Sequence, residues 1–153
     1  MTPPGSGDFP LGPALDFLRR LWRFNHALAR LSTRMEKRLG ITAQQRFVIR
    51  CVGAYPGMTA GQLAAVLHVD PGTVSAALRR LEQKGIVKRR RDPADSRRVA
   101  LGLTRKGRTL DVPTAGTIEE SVEELLAREP AEAETALSMI ELLSSLLDEK
   151  LAI

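Results

Sequence analysis

Twelve cationic side chains fall between Arg79 and Arg108, against three acids, Glu82, Asp92 and Asp95, a net of +9. From Asp111 onward the balance reverses, with eleven acids against Arg128 and Lys150, a net of −9. A chain of formal charge +5 has thus gathered its positive charge on one segment. Cations packed this closely repel one another unless an anion lies among them, and a nucleic-acid backbone is the anion that fits a basic stripe. Such residues bind; they do not catalyse. No nucleophile–base pair or phosphate loop is visible, and one cysteine with two distant histidines leaves no zinc-type cluster. The expectation is a protein that is not an enzyme and uses no cofactor or metal.

Two helices and a hairpin must hold this charge. Thr59 and Gln62 form a capping box that opens a helix through Leu67. After the short joint His68-Val69, Asp70 caps a second helix with Pro71 in its first turn. Val74, Ala77, Leu78 and Leu81, spaced by three and four, form its apolar face, and Gly85 stops it. Ile86–Arg91 and Arg97–Leu103 read as strands around residues 92–96. Val99, Leu101 and Leu103 alternate with Arg98, Ala100 and Gly102. Helix, turn, helix and basic hairpin in this order make a winged helix–turn–helix. The second helix fits a DNA major groove, where Pro71, Gly72, Thr73, Ser75 and Ala76 allow close approach and Arg79 and Arg80 supply donors. Lys84, Arg89, Arg90, Arg91 and Arg98 complete the candidate set, with Arg89 and Arg91 read as phosphate contacts.

The flanks are helical too. Residues 1–10 carry Pro3, Pro4, Gly5, Ser6 and Gly7 and are expected to be loose. A helix is expected from Pro13 to Leu39, stopped by Gly40. Its seam of Leu18, Leu21, Asn25, Leu28, Ser32, Met35 and Leu39 suits another helix. At that length it outreaches a small domain and points to a partner subunit. Thr42 and Gln45 box the next helix, which runs to about Tyr55. On it Phe47, Cys51 and Tyr55, spaced by four, read as a core face, which makes the thiol inert. Thr104 can cap a further helix, Pro113 and Gly116 break it, and Thr117–Arg128 and Pro130–Leu151 follow. Val122, Leu125 and Leu126, then Leu137, Ile140, Leu143, Leu146 and Leu147, give these last two apolar stripes.

The expected fold is mainly α with a small β-hairpin. Its parts are a flexible segment 1–10, a dimerisation helix 11–40, the winged helix–turn–helix 41–108, and dimerisation helices 109–153. No signal pattern or membrane-length apolar run is read, so the expected location is the cytoplasm.

Several motifs together resemble the MarR family of bacterial transcription regulators. They are Thr73-Val74-Ser75, the run Arg80-Leu81-Glu82-Gln83-Lys84-Gly85-Ile86-Val87, Asp92-Pro93, Asp95-x-Arg97, and Leu103-Thr104-x-x-Gly107. The resemblance implies a homodimer with intertwined terminal helices, bound to double-stranded DNA at a pseudo-palindromic operator. By the same resemblance Arg97 is the wing arginine that enters a minor groove, and Asp95 is the acid that positions it. It also implies an effector cleft, often for aromatic acids, for which Trp22, His26, Arg46 and Arg50 are the candidates. A repressor released by a small-molecule effector is the expectation. Ala76 stands where many relatives carry an arginine, and Arg79 where an acid often stands. The competing reading is a winged-helix module that docks a protein partner through its acidic C-terminal helices, with weak or no operator specificity.

Overall fold

The computed structural model describes residues 10–152; the loose segment expected over 1–10 lies, apart from Pro10, outside them. The chain divides after Val112 into two compact units. The first contains α1 (Pro13–Leu39), α2 (Ala43–Ala54), α3 (Ala60–Leu67), α4 (Pro71–Gln83), β1 (Val87–Arg91), β2 (Val99–Leu103) and α5 (Arg105–Leu110). The second contains α6 (Ile118–Arg128) and α7 (Pro130–Leu151).

The caps lie where the side-chain chemistry places them. Thr42 and Thr59 each accept the N3 backbone N–H, and the Gln at N3 returns a bond to the cap's own N–H. Gly40 ends α1 at φ 74°, a conformation that carries no penalty for glycine. Gly85 does the same for α4 at φ 68°. There the Gly85 N–H donates to the Glu82 carbonyl and the Ile86 N–H to the Leu81 carbonyl, a Schellman cap. Leu81 and Ile86, the apolar pair that accompanies it, are both fully buried.

The first unit's core gathers Ile41, Val48, Ile49, Val52, Leu63, Val74, Leu78, Leu81, Ile86, Val87 and Leu101, with residues from α2, α3, α4 and both strands. Burial of each large side chain here is worth about 1.5–3 kcal/mol. Along α1, Met35 is buried and Leu21, Leu28, Ser32 and Leu39 are half-buried, while Leu18 and Asn25 are exposed. The Ala43 N–H donates to the Ser32 hydroxyl at 3.0 Å, which ties α1 to the start of α2.

The hairpin is antiparallel, pairing Val87 with Leu103 through to Arg91 with Val99. Both strands are shorter than the sequence suggests, for definite reasons. The Ile86 N–H belongs to the α4 cap. Arg97 and Arg98 belong to the tip turn, where the Arg98 N–H donates to the Asp95 carbonyl and the Asp92 N–H to the Arg98 carbonyl. The free edge of β2 is also occupied. Leu101 donates to the Met58 carbonyl at 2.7 Å and accepts from the Gly57 N–H at 3.0 Å, so the segment joining α2 and α3 covers that edge with two backbone bonds.

Two other expectations need correction. Phe47 and Tyr55 are 56% and 64% exposed, so they are not core residues. The buried side of α2 is set by Gln45, Val48, Ile49 and Val52, and the 100° step per residue places Phe47 on the opposite side. Cys51 lies at the edge of the buried side, and burial raises its thiol pKa, which keeps it protonated.

In the second unit Thr117 caps α6 by accepting the Glu120 N–H. Thr117 and Ala133 are buried, while Val122, Leu125, Leu126, Leu137, Ile140, Leu146 and Leu147 are exposed.

Gly107 shows why a glycine follows Thr104 by three. A Cβ there would lie 2.2 Å from the Ile86 carbonyl oxygen, a backbone atom. Alanine ordinarily gains about 1 kcal/mol over glycine inside a helix. Gly107→Ala is nevertheless expected to lose about 1–3 kcal/mol in denaturant unfolding. The control Gly61→Ala, with no neighbour nearer than 3.9 Å, gains stability. Equal effects of the two substitutions would contradict this close approach.

Candidate nucleic-acid interface

Helix α4 turns Val74, Leu78 and Leu81 into the core and leaves Pro71, Gly72, Thr73, Ala76, Arg79 and Arg80 exposed, with Ser75 half-buried. Its N-terminus is fixed by Asp70, whose carboxylate accepts the Thr73 N–H at 2.9 Å and the Thr73 hydroxyl. These two bonds hold the Asp70 carboxyl below the usual carboxylate range, the hydroxyl contributing most. The exposed start of α4 is therefore rigid, and the Thr73 hydroxyl is already engaged.

Alternation sorts the cations of β1. Arg89 and Arg91 share a side with Val87, Leu101 and Leu103; Lys88 and Arg90 lie on the other, opposite Gly102 and Ala100. At the tip the Asp95 carboxylate accepts the backbone N–H of Arg97 at 3.0 Å. Asp95 thus orders the Arg97 main chain and leaves its guanidinium unpaired among the described residues and exposed to solvent.

The twelve cations divide into two groups. Five are held by the fold. The Lys84 ammonium donates to the Gly40 carbonyl at 2.8 Å and to Gln45 Oε1 at 3.2 Å. Arg89 pairs with Glu82 of α4 at 2.6 Å. Arg98 reaches the Gly57 carbonyl at 3.3 Å and lies 3.9 Å from the Asp92 carboxylate. Lys106 and Arg108 donate to the carbonyls of Lys84 and Leu103. Lys84, Arg89 and Arg98, expected as DNA contacts, bind neighbouring parts of the chain in this structure. Arg79, Arg80, Lys88, Arg90, Arg91, Arg97 and Arg105 have no side-chain partner among the described residues. Their uncompensated charge covers the exposed part of α4 and the wing.

The four residues expected at an effector cleft are not brought into one cation-rich site. Arg46 is 1% exposed, and its guanidinium donates to the carbonyls of Leu110 and Val112, both at 2.7 Å. Carbonyls at a helix C-terminus carry partial negative charge, so they suit a buried guanidinium. Arg50 pairs with Asp111 at 2.7 Å. Trp22 and His26 lie exposed on α1.

Residues 41–99 match the family model described as MarR family. A solved structure of MarR is 32% identical at a TM-score of 0.54, and the alignment covers 95% of this chain and 94% of that one. The chain belongs to the MarR family. Streptococcus pneumoniae FabT, solved in complex with DNA, is 27% identical at a TM-score of 0.64, covering 88% of this chain and 96% of that one. The regulator TtmR of Methylorubrum extorquens is 34% identical over 85 residues, 56% of this chain and 44% of TtmR. The chain spans about half the length of the curated relatives it matches.

The matched MarR region begins at the end of α1 and reaches the first residue of β2, so it contains the recognition helix and the tip turn. Two features of this MarR-family interface escaped the sequence reading. The Met58–Leu101 bridge leaves no side-chain signal because its bonds are backbone ones. The Arg89–Glu82 pair spans two elements, and only the register of β1 brings it together.

Asp70 yields a pH test. Its carboxyl pKa is lowered on folding, so its contribution is present above the unfolded value and lost as pH falls through the folded one, from about pH 4 downward. Asp70→Asn keeps a capping acceptor but cannot titrate. The stability gap between parent and Asp70→Asn is expected to narrow between about pH 5 and about pH 2 in urea unfolding. Asp16, likewise depressed by Arg19 and Arg20, titrates in both proteins and cancels. A gap independent of pH would contradict the assignment.

Proposed function

We propose that this chain is a dimeric, sequence-specific DNA-binding transcription repressor with one winged helix–turn–helix per operator half-site. The observation that carries the proposal is the set of exposed cations without a side-chain partner among the described residues, Arg79, Arg80, Arg90, Arg91 and Arg97, on α4 and on the hairpin. A protein-docking module has no use for them, whereas phosphates and groove edges do. Relatives named as transcriptional regulators, and relatives solved on DNA, support the same reading. Ligand-controlled release belongs to the proposal; of the four candidates for an effector, Trp22 and His26 are exposed and Arg46 is enclosed by backbone carbonyls. No described helix is long and apolar enough to cross a membrane.

Dimerisation is inferred from the apolar side chains that α1, α6 and α7 leave in water. They include Leu18, Trp22, Leu125, Leu126, Leu137, Ile140 and Leu147. Isolated exposed leucines are ordinary, but repeated stripes on long helices mark an association surface.

Sedimentation at micromolar concentration is expected to give a dimer with or without DNA. Arg97→Ala keeps the dimer but weakens operator binding more than Arg91→Ala does, because a guanidinium in a narrow minor groove meets focused negative potential. Arg91→Ala weakens all duplexes alike and lowers the salt slope by about one for each phosphate that the missing guanidinium no longer neutralises. An Arg97→Ala protein that matches the parent across a salt titration would remove the wing from the reader.

A further inference from the structure

Helix α4 presents an unusual outward surface. At 100° per residue, Gly72, Ala76 and Gln83 point directly away from Val74, Leu78 and Leu81, within about 40° of one another. The two outermost positions in the first turns are thus occupied by a glycine and an exposed alanine. Neither carries a side-chain donor or acceptor, and the hydroxyl of neighbouring Thr73 is held by Asp70. A side-chain donor for a base acceptor must therefore come from elsewhere on the helix.

Arg79 and Arg80, one turn further on, are exposed and unpaired among the described residues. They are not equivalent. Arg79 lies about 40° from the outward direction, and Arg80 about 60° to the other side of it. Small side chains at Gly72 and Ala76 let the helix axis sit deeper in a groove, which brings a long side chain on the third turn to the base edges.

The wing has a part in this. Glu82 is three residues from Arg79, a spacing at which opposite charges meet on a helix surface. It binds Arg89 of β1 at 2.6 Å instead. The pair satisfies the carboxylate and leaves the Arg79 guanidinium available.

Resting on the regulator reading above, we propose that Arg79 reads a guanine in each half-site, that Ala76 meets a thymine methyl beside it, and that Arg89 is a positioning residue that holds Glu82 away from Arg79. Guanine offers two acceptors, O6 and N7, that match a guanidinium fork, and a methyl on the helix suits the C5-methyl of thymine. Arg80 binds phosphate without reading sequence.

Selection of sites from random duplexes by the parent and its variants tests this, with circular dichroism to confirm that each variant is folded. The parent is expected to select half-sites holding one invariant G·C pair. Replacing that pair costs the parent roughly five- to hundredfold in affinity. Arg79→Ala loses the preference at that pair alone, whereas Arg80→Ala keeps it and weakens every duplex. Arg89→Ala blunts the guanine preference, and adding Glu82→Gln restores it. Uracil in place of the adjacent thymine weakens the parent but not Ala76→Gly. An Arg79→Ala protein that still requires the guanine overturns the assignment, even if the parent binds a dyad site. Failure of Glu82→Gln to restore the Arg89→Ala protein overturns the positioning role. A parent that selects no sequence overturns the regulator reading itself, and this inference with it.

Discussion

The carbonyl of Ile86 is the point on which the reader's geometry depends. It accepts the Thr104 N–H at 3.0 Å, the Cα of Gly107 lies against it, and the Thr104 hydroxyl donates to the neighbouring Gly85 carbonyl at 2.6 Å. Ile86 also closes the Schellman cap of α4 and precedes the first residue of β1. One residue therefore ends the recognition helix, leads into the wing and receives the start of α5. Backbone packed this closely on backbone cannot slide, because any shift breaks bonds that water cannot replace in a buried place. On the proposed reading, helix and wing meet a duplex as one body.

Charge is divided around that body. Lys84, Arg89, Arg98, Lys106 and Arg108 hold helix ends and strands together through carbonyls and carboxylates, so they stabilise the scaffold. The remaining cations of the segment point outward and repel one another. A basic surface of this kind is a modest burden on the free protein and favourable once phosphates neutralise it. The internal clips do their second service here, since they stiffen the elements that carry the free guanidinium groups. The ion pair between Glu82 and Arg89 acts both ways, joining wing to helix and engaging the acid three residues along α4 from Arg79.

Local chemistry was legible in the sequence. Thr42, Thr59, Asp70, Thr104 and Thr117 are polar caps whose acceptors satisfy the first free N–H groups of a helix, and each begins the helix expected of it. The motif that ends in Gly107 signalled the fold. Its cause, contact with a carbonyl twenty-one residues earlier, becomes visible only in three dimensions. Long-range partners were not legible. Lysines and arginines look alike in a charge count whether they meet solvent or the carbonyl of Gly40, Gly57 or Leu110. Phe47 and Tyr55 were misplaced because a spacing of four does not say which side of a helix faces the core. For Arg46, an apparent ligand-binding cation proved to be a buried strut.

If α4 and the wing act as one reader per half-site, the hairpin tip sits in a minor groove beside each recognition helix. Affinity cleavage tests this most directly. Ser96 is exposed in the tip turn, so Ser96→Cys in a Cys51→Ser background can carry an iron chelate that cuts nearby sugars. Cleavage is predicted at two narrow sites symmetric about the operator dyad, offset across the minor groove outside each recognition helix. Cleavage spread evenly along the duplex, or confined to the centre of the dyad, would contradict the account.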